Sequence, residues 1–289
     1  MSRFTICGLT ILLAFAPAAL AVDGTVLINQ STITNGLTGC PTGGHFPVII
    51  CQPGSYRLSG NLTVPDANTD VIHITADNVT LDLNGFAIQG PATCTPGTFP
   101  VVCSVTGFGF GIVSSNNNIS VSNGAVNGMG GSGIGLFGVG VRIDGLRVAN
   151  NADVFGAGIS ANFADISNCT VTTNAGDGIF LGAGTVSLNF IGFNGGNGIE
   201  SPIDVEGATA LKPGLVASNN TVFRNGQDGV NTVSLAVNNT IVDNVGFGFS
   251  CTSAGIVCGF EGNVISNNSG GTVKGGTSLG HNSCNGTVC

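Results

Sequence analysis

The sequence predicts an all-β protein built as a solenoid, in which short strands from successive coils of the chain stack on one another. A glycine followed by an apolar residue recurs with steps of 25, 20, 20, 31 and 19 residues, at Gly133, Gly158, Gly178, Gly198, Gly229 and Gly248. Between these pairs, two asparagines enclose an apolar core, as in NFIGFN, NTVFRN and NTIVDN. Repeats of about 20 residues rich in β-branched side chains are typical of stacked β-coils.

The residue types in the repeat also predict how each coil folds. The 48 glycines, with many asparagines and β-branched residues, disfavour helices. Each coil should supply two or three short strands that pair in parallel with the next coil, about 4.8 Å away. Asparagine tolerates the left-handed backbone of a sharp corner. Equivalent asparagines can also hydrogen-bond through their side-chain amides along the stack.

An acidic position recurs at one corner of the predicted coils. Asp177, Asn197 and Asp228 each stand directly before a glycine-apolar pair. Because Asn replaces Asp in this column, we expect the column to stabilise the turn. A catalytic role stays open, and the candidate catalytic residues are Asp177, Asp228 and the nearby Glu200.

The first residues and the charge indicate where the protein acts. Residues 1–21 hold a basic start, an apolar run and terminal small residues, which predicts a secretory signal peptide. We expect an exported protein, periplasmic or extracellular, with no membrane span in the mature chain. Without the leader, 6 basic oppose 15 acidic side chains, which disfavours nucleic acid as a partner. The predicted organisation is an N-terminal cap at 22–52, the solenoid at 53–270 and a Cys-containing tail at 271–289.

Eight of the nine cysteines that follow the leader fall in close pairs around loop sequence. In an exported protein, such pairs predict four local disulfides rather than a metal site. The predicted bonds join Cys40 to Cys51, Cys94 to Cys103, Cys251 to Cys258, and Cys284 to Cys289. Cys169 is left over among apolar positions, so we expect it to be a buried thiol.

The stretch from Pro53 to Gly90, followed by the Asn-Gly coils, resembles the right-handed parallel β-helix proteins of the bacterial pectin-lyase-like superfold. The resemblance covers about 53–270 and implies a single β-helix whose loops and ends are stapled by cysteines. The superfold includes lyases, hydrolases, epimerases, adhesins and scaffolds, so it does not decide the function.

The catalytic residues of the polygalacturonases in this superfold are missing. Their paired-aspartate motif resembles GQDGV at 226–230, but Gly229 stands where the second Asp belongs. There is also no Arg-x-Lys motif. A lyase would need a basic residue as its base, yet strand alternation turns Arg142 and Arg147 outward into solvent. Exposed aromatics for sugar binding are also scarce, since Trp is absent, Tyr56 is the one tyrosine, and most of the 17 Phe are expected inside or in GFGF.

We therefore predict a non-catalytic exported scaffold of the cell envelope or extracellular space, which contacts polysaccharide or cell-surface components weakly. The alternative is a carbohydrate-active enzyme, a polysaccharide lyase or glycoside hydrolase, with an unrecognised site.

One irregular step of the repeat predicts a side loop. The interval from Gly198 to Gly229 is 31 residues, whereas the one before it is 20. Its excess contains Glu200, Asp204 and Glu206, three carboxylates within seven residues. No cofactor is expected apart from calcium, which these oxygen ligands could bind. A plain solvated acidic loop is the competing interpretation.

If these carboxylates form a calcium site, wild type should bind calcium at millimolar concentration and the Glu200→Ala/Asp204→Ala/Glu206→Ala variant should lose this binding, whereas a solvated loop predicts no binding by either. Calorimetric titration measures both. Absence of binding to wild type, or equal binding by the variant, would leave the loop as a solvated decoration.

Overall fold

The computed structural model describes residues 24–41, 43–201, 214–252 and 257–289. These residues form one four-residue helix, α1, and 28 short strands, β1 to β28. The helix is Thr32–Asn35. The strands are β1 Val26–Ile28, β2 Val48–Ile50, β3 Gly54–Leu58, β4 Leu62–Thr63, β5 Ile72–Ile74, β6 Val79–Asp82, β7 Ala87–Gln89, β8 Ile112–Ser114, β9 Ile119–Asn127, β10 Ile134–Leu136, β11 Val141–Ala149, β12 Ala157–Ser167, β13 Thr170–Thr172, β14 Asp177–Ser187, β15 Phe190–Gly192, β16 Ile199–Glu200, β17 Leu215–Ser218, β18 Thr221–Phe223, β19 Val230–Asn231, β20 Leu235–Val237, β21 Thr240–Val242, β22 Phe247–Cys251, β23 Gly259–Glu261, β24 Val264–Ser266, β25 Gly271–Gly275, β26 Thr277–Gly280, β27 Ser283–Cys284 and β28 Thr287–Val288.

The strands stack in three parallel rows, which confirms the predicted β-helix. In the first row, the inward residues Ile134, Ile159, Ile179, Ile199 and Val230 lie in register from coil to coil. The second row includes β11, β12, β14 and β17. The third row includes β13, β15, β18 and β21. Among the described strands, only the pair β27–β28 is antiparallel.

The parallel pairing extends beyond the predicted limits of 53 and 270. Strand β1 pairs in parallel with β3, and β26 pairs in parallel with β23. At the first end, helix α1 and the loop after it cover the core, where Leu37 is buried and Ile33 packs against the core residues. No helix in the described ranges is long and apolar enough to cross a membrane, and the predicted signal peptide at 1–21 lies outside those ranges.

Two columns of buried asparagine amides connect the coils, as predicted. In each column, the side-chain Nδ2 of one Asn donates to the Oδ1 of the next, at 2.8 to 3.0 Å. The first ladder contains Asn151, Asn174, Asn194, Asn225, Asn244 and Asn268. The second ladder contains Asn189, Asn220, Asn239, Asn263 and Asn282.

Each interior ladder amide is fully used. Asn225, for example, donates through Nδ2 to Asn244 Oδ1 and to the carbonyl of Ile191. Its own Oδ1 accepts the backbone amide and the Nδ2 of Asn194. A buried polar group with all of its partners avoids the desolvation penalty of an unpaired one, so these side chains are part of the core.

The left-handed corners lie one residue before the ladder asparagines. Leu188, Asn219 and Arg224 have positive φ, and each directly precedes a ladder Asn. Asn168 also has positive φ and precedes Cys169, which stands at the equivalent position. From the sequence, the same asparagines were expected to form both the left-handed corner and the hydrogen-bonded ladder. In the structure, the residue before each ladder asparagine forms the corner. It also corrects the reason for the Asp177 column, whose members do not have positive φ.

The long interval of the repeat falls between two strands that both pair in register with the preceding coil. Phe180 pairs with Glu200 in the first row, while Gly184 pairs with Leu215 in the second. Phe180 and Gly184 are four positions apart in one coil, whereas Glu200 and Leu215 are fifteen positions apart in the next. Because the register is continuous on both sides, the eleven extra residues lie between Ser201 and Gly214, and residues 202–213 are outside the described ranges.

The four predicted disulfides are present. They join Cys40 to Cys51, Cys94 to Cys103, Cys251 to Cys258, and Cys284 to Cys289. Cys169 is a free, buried thiol, and burial raises its pKa to about 11. It is therefore a neutral part of the core rather than a reactive thiolate.

We predict that Asn225→Ala lowers the free energy of unfolding by about 1–3 kcal/mol, because it leaves the Asn194 amide without its buried acceptor. Chemical denaturation followed by circular dichroism measures the change. Gln227→Ala is the matched control, since this amide side chain is exposed in the same coil. Equal stability of the two variants would contradict a stabilising ladder.

Candidate functional site

The three candidate catalytic carboxylates lie on the first row of strands. Asp177 is the first residue of β14, Glu200 is the last residue of β16, and Asp228 stands two residues before β19. In sequence, Asp177 and Glu200 are 23 residues apart. Stacking places them in adjacent coils, where their carboxyl groups are in hydrogen-bonding contact.

The corner column formed by Asp177, Asn197 and Asp228 binds the backbone of the following coil. The amide of Asn197 donates to Asp177 Oδ1 at 2.6 Å, and the amide of Asp228 donates to Asn197 Oδ1 at 3.0 Å. The amide of Phe247 then donates to Asp228 Oδ1 at 2.6 Å. Asp and Asn are interchangeable here because both present the acceptor oxygen that the next coil requires.

The pair Asp177–Glu200 adds electrostatics to this column. The pKa of Asp177 is raised to about 8, first by burial and then by the negative charge of Glu200 and the hydrogen bond with it. Glu200 is fixed by Asn197, whose Nδ2 donates to Glu200 Oε2 at 2.6 Å. A carboxyl with a pKa raised in this way keeps its proton at neutral pH, so Asp177 is the neutral member of the column.

This spacing does not match the known geometries of glycoside hydrolysis. Retaining enzymes keep their carboxyls about 5–5.5 Å apart and inverting enzymes about 6.5–9.5 Å apart, to leave room for sugar or water. Asp177 and Glu200 contact each other directly. Along the outward column of Glu200, the basic residue in register is Lys274, three coils away at about 14 Å. Within the described ranges, this register places no basic side chain on the coils next to the pair, and Lys212 lies outside those ranges.

The predicted calcium ligands are only partly described. Glu200 is committed to Asn197 and Asp177, whereas Asp204 and Glu206 lie outside the described residues. Within the described ranges, no three His, Cys, Asp or Glu side chains cluster in a way that could hold a metal ion. The calcium site stays a prediction.

A shallow groove of about 230 Å³ lies on the second row of strands. Its lining includes Phe163 and Asp165 of β12 together with Ala183 and Gly184 of β14. The Phe163 ring is 39% exposed. The amide of Gly184 donates to the carbonyl of Gly214, so the long loop rejoins the stack at the groove's edge.

Polar groups stand next to the exposed ring in this groove. The hydroxyl of Thr185 donates to Asp165 Oδ1 at 2.7 Å. Arg142 is exposed as predicted and lies in register with Asp165 on the neighbouring strand. An apolar ring beside a carboxylate, a hydroxyl and a guanidinium can contact both the apolar face and the hydroxyls of a sugar.

This groove was not predicted from the sequence, because most phenylalanines were expected inside. Among the described residues, the fully or nearly fully buried Phe are Phe249 and Phe260. Exposed Phe are Phe108, Phe137, Phe155, Phe163 and Phe190. The signal was present in ANFADIS, where Ala164 and Ile166 are buried and the alternation therefore turns Phe163 and Asp165 outward.

We predict that Asp177 makes stability fall with rising pH. Its pKa is about 8 in the folded protein against an ordinary 3.8, so the folded state binds the extra proton between these values. Its contribution is complete below the lower value and is lost as pH rises through the upper one. Asp177→Asn should flatten this decline when denaturation is followed across the interval.

The matched control for this prediction is Asp228→Asn. Asp228 occupies the equivalent corner, but on the coil that follows it Ser250 stands at the position that Glu200 holds relative to Asp177. This variant should keep the wild-type decline. An unchanged slope in Asp177→Asn would show that the carboxyl pair does not hold a proton.

Comparisons with known proteins show likeness at the level of chain path. No protein-family model matches the sequence, and no curated protein matches it. Among solved structures, the Dettilon tailspike protein matches with a TM-score of 0.49 and 16% identity over 82% of this chain, which spans about half (52%) of that chain. A periplasmic alginate epimerase mutant matches with a TM-score of 0.42 and 12% identity, over 90% of this chain and 83% of that one. A pectate lyase matches with a TM-score of 0.38 and 15% identity, over 90% of this chain and 78% of that one. The assignment as a parallel β-helix follows from the strand pairing itself.

Proposed function

We propose that the protein is a non-catalytic, exported β-helix scaffold that contacts carbohydrate through the groove at Phe163. The observation that carries the scaffold role is the corner column: Asp177, Asn197 and Asp228 each accept the backbone amide of the following coil. The repeated polar residues thus stabilise the stack rather than converge on a substrate. Four disulfides support an oxidising compartment outside the cytoplasm.

The groove supports the carbohydrate contact. Phe163 presents an accessible apolar face, and Asp165 keeps one carboxylate oxygen beyond its bond from Thr185. Asp165 would repel a uronate brought against it, and the chain as a whole carries a formal charge of −8. Neutral polysaccharide therefore fits the groove better than an acidic one. The groove is shallow, which favours weak binding along a polymer.

The alternative, a carbohydrate-active enzyme, is favoured by one specific observation: the pKa of Asp177 is raised to about 8 beside a second carboxyl. Perturbed carboxyls are common at catalytic sites. A screen on neutral and acidic polysaccharides, with reducing ends and the ultraviolet absorbance of unsaturated uronates as readouts, decides between the two. Turnover that disappears in Asp177→Asn would replace the scaffold proposal with the enzyme.

We predict that a neutral β-linked glucan oligosaccharide binds wild type. Phe163→Ala should raise the Kd by about tenfold, as expected for the loss of an aromatic contact. Isothermal calorimetry measures both affinities. An oligogalacturonate serves as the acidic probe and should bind more weakly than the neutral one.

Phe155→Ala is the matched control, because Phe155 is 99% exposed and does not line the groove. It should bind like wild type. If neither oligosaccharide binds wild type, or if both Phe variants lose affinity equally, the groove is not the carbohydrate contact.

A further inference from the structure

The segment 91–106, named the strap here, leaves the stack and returns to it between β7 and β8. Its two arms pair through Thr95 N to Val102 O at 2.9 Å and Ser104 N to Thr93 O at 2.8 Å. The disulfide Cys94–Cys103 closes the hairpin. The sequence analysis identified this bond but gave the loop no role.

The strap reaches far along the solenoid. Its root is bound to one coil, where Ala92 N donates to Gly128 O and Gly107 N donates to Gly130 O. Its tip lies at corners of later coils. A Cβ at Gly195 would meet Val101 Cβ at 3.3 Å, and one at Gly226 would meet Phe99 Cδ1 at 2.8 Å.

These contacts cross several coils. From the coil of Ile134, the register passes through Ile159 and Ile179 to Ile199 and then Val230. The corners under the tip are therefore three and four coils away, about 14 and 19 Å at the spacing of parallel strands. The seven Cα–Cα steps from Ala92 to Phe99 can span about 23 Å when extended, so the strap lies nearly straight along the corner.

Root and tip are attached differently. The root is held by backbone hydrogen bonds. Within the described ranges, no hydrogen bond joins residues 96–101 to the corners beneath them. The tip is held by side-chain packing: Val101 is 4% exposed, whereas its neighbour Val102 is 62% exposed. Glycine at both corners leaves the space in which these side chains pack.

The covered corners adjoin the carboxylate column. Gly195 is two residues before Asn197, and Gly226 is two residues before Asp228. A Cβ on Gly196, the next residue after Gly195, would collide with Asp177 Oδ1. A strap that lies on Gly195 and Gly226 therefore covers the corners two residues before Asn197 and Asp228.

We propose that the strap is a detachable cover, whose tip lifts off the Gly195 and Gly226 corners while its root stays in place. The fixed root and the disulfide keep the hairpin intact as it moves, and the tip's attachment by apolar packing without hydrogen bonds allows it to separate. Lifting opens the corner beside Asp177, Asn197 and Asp228. This inference is independent of the carbohydrate groove, which lies on another row of strands.

The test is amide hydrogen exchange by mass spectrometry on the folded full-length protein. In Val101→Ser, peptides containing Gly195–Asn197 and Gly226–Asp228 should exchange about tenfold faster, because the tip is released more often. Peptides covering the ladder residues Asn239 to Asn244, on the coil after the Gly226 corner, should exchange as in wild type.

Val102→Ser is the matched control, one residue away on the exposed side of the same hairpin. It should leave the corner peptides unchanged. If Val101→Ser and Val102→Ser exchange alike at the corners, the tip does not cover them. If Val101→Ser accelerates exchange along the whole solenoid, the strap is a fixed part of the core rather than a detachable cover.

Discussion

The structure depends on hydrogen bonds between equivalent side chains of successive coils. A single coil has too few apolar residues to bury its own inner face, so stability arises only from stacking. The apolar column from Ile134 to Val230 supplies the hydrophobic part of this stacking. The two asparagine ladders make stacking specific, because an amide one position out of register would be buried without a partner.

This constraint explains the backbone geometry at the corners. Leu188, Phe193 and Arg224 adopt positive φ, which such side chains rarely do. Each precedes a ladder asparagine. In Asn194 and Asn225, for example, both the backbone N–H and the side-chain Nδ2 donate hydrogen bonds. The bonds of the ladder therefore hold the preceding residue in its unfavourable conformation, and Asn at the same place, as in Asn168 and Asn219, does so at lower cost.

The periodic part of the molecule was predictable from the sequence for the same reason. Recurrence of Asn and Gly-apolar pairs reports stacking directly, and close cysteine pairs report local loops. Contacts that break the period were not predictable. The contact between Asp177 and Glu200 needs both the coil register and the exact point at which the long loop departs. Predicting the groove requires knowing that the Phe163 side chain points outward. Alternation shows this only once β12 is known to continue through two rows.

The irregular features concentrate in one part of the solenoid. The long interval begins after Ser201, directly beyond Glu200, and the described chain resumes at Gly214, which is bound to Gly184 of the groove. The strap tip meets the same coil at Gly195. In a stack where each coil contacts only its neighbours, a contact across three coils couples elements that would otherwise open independently. The carboxyl pair, the groove and the covered corner therefore belong to one region in which the chain departs from its repeat, and that region is where binding is to be sought on an otherwise uniform scaffold.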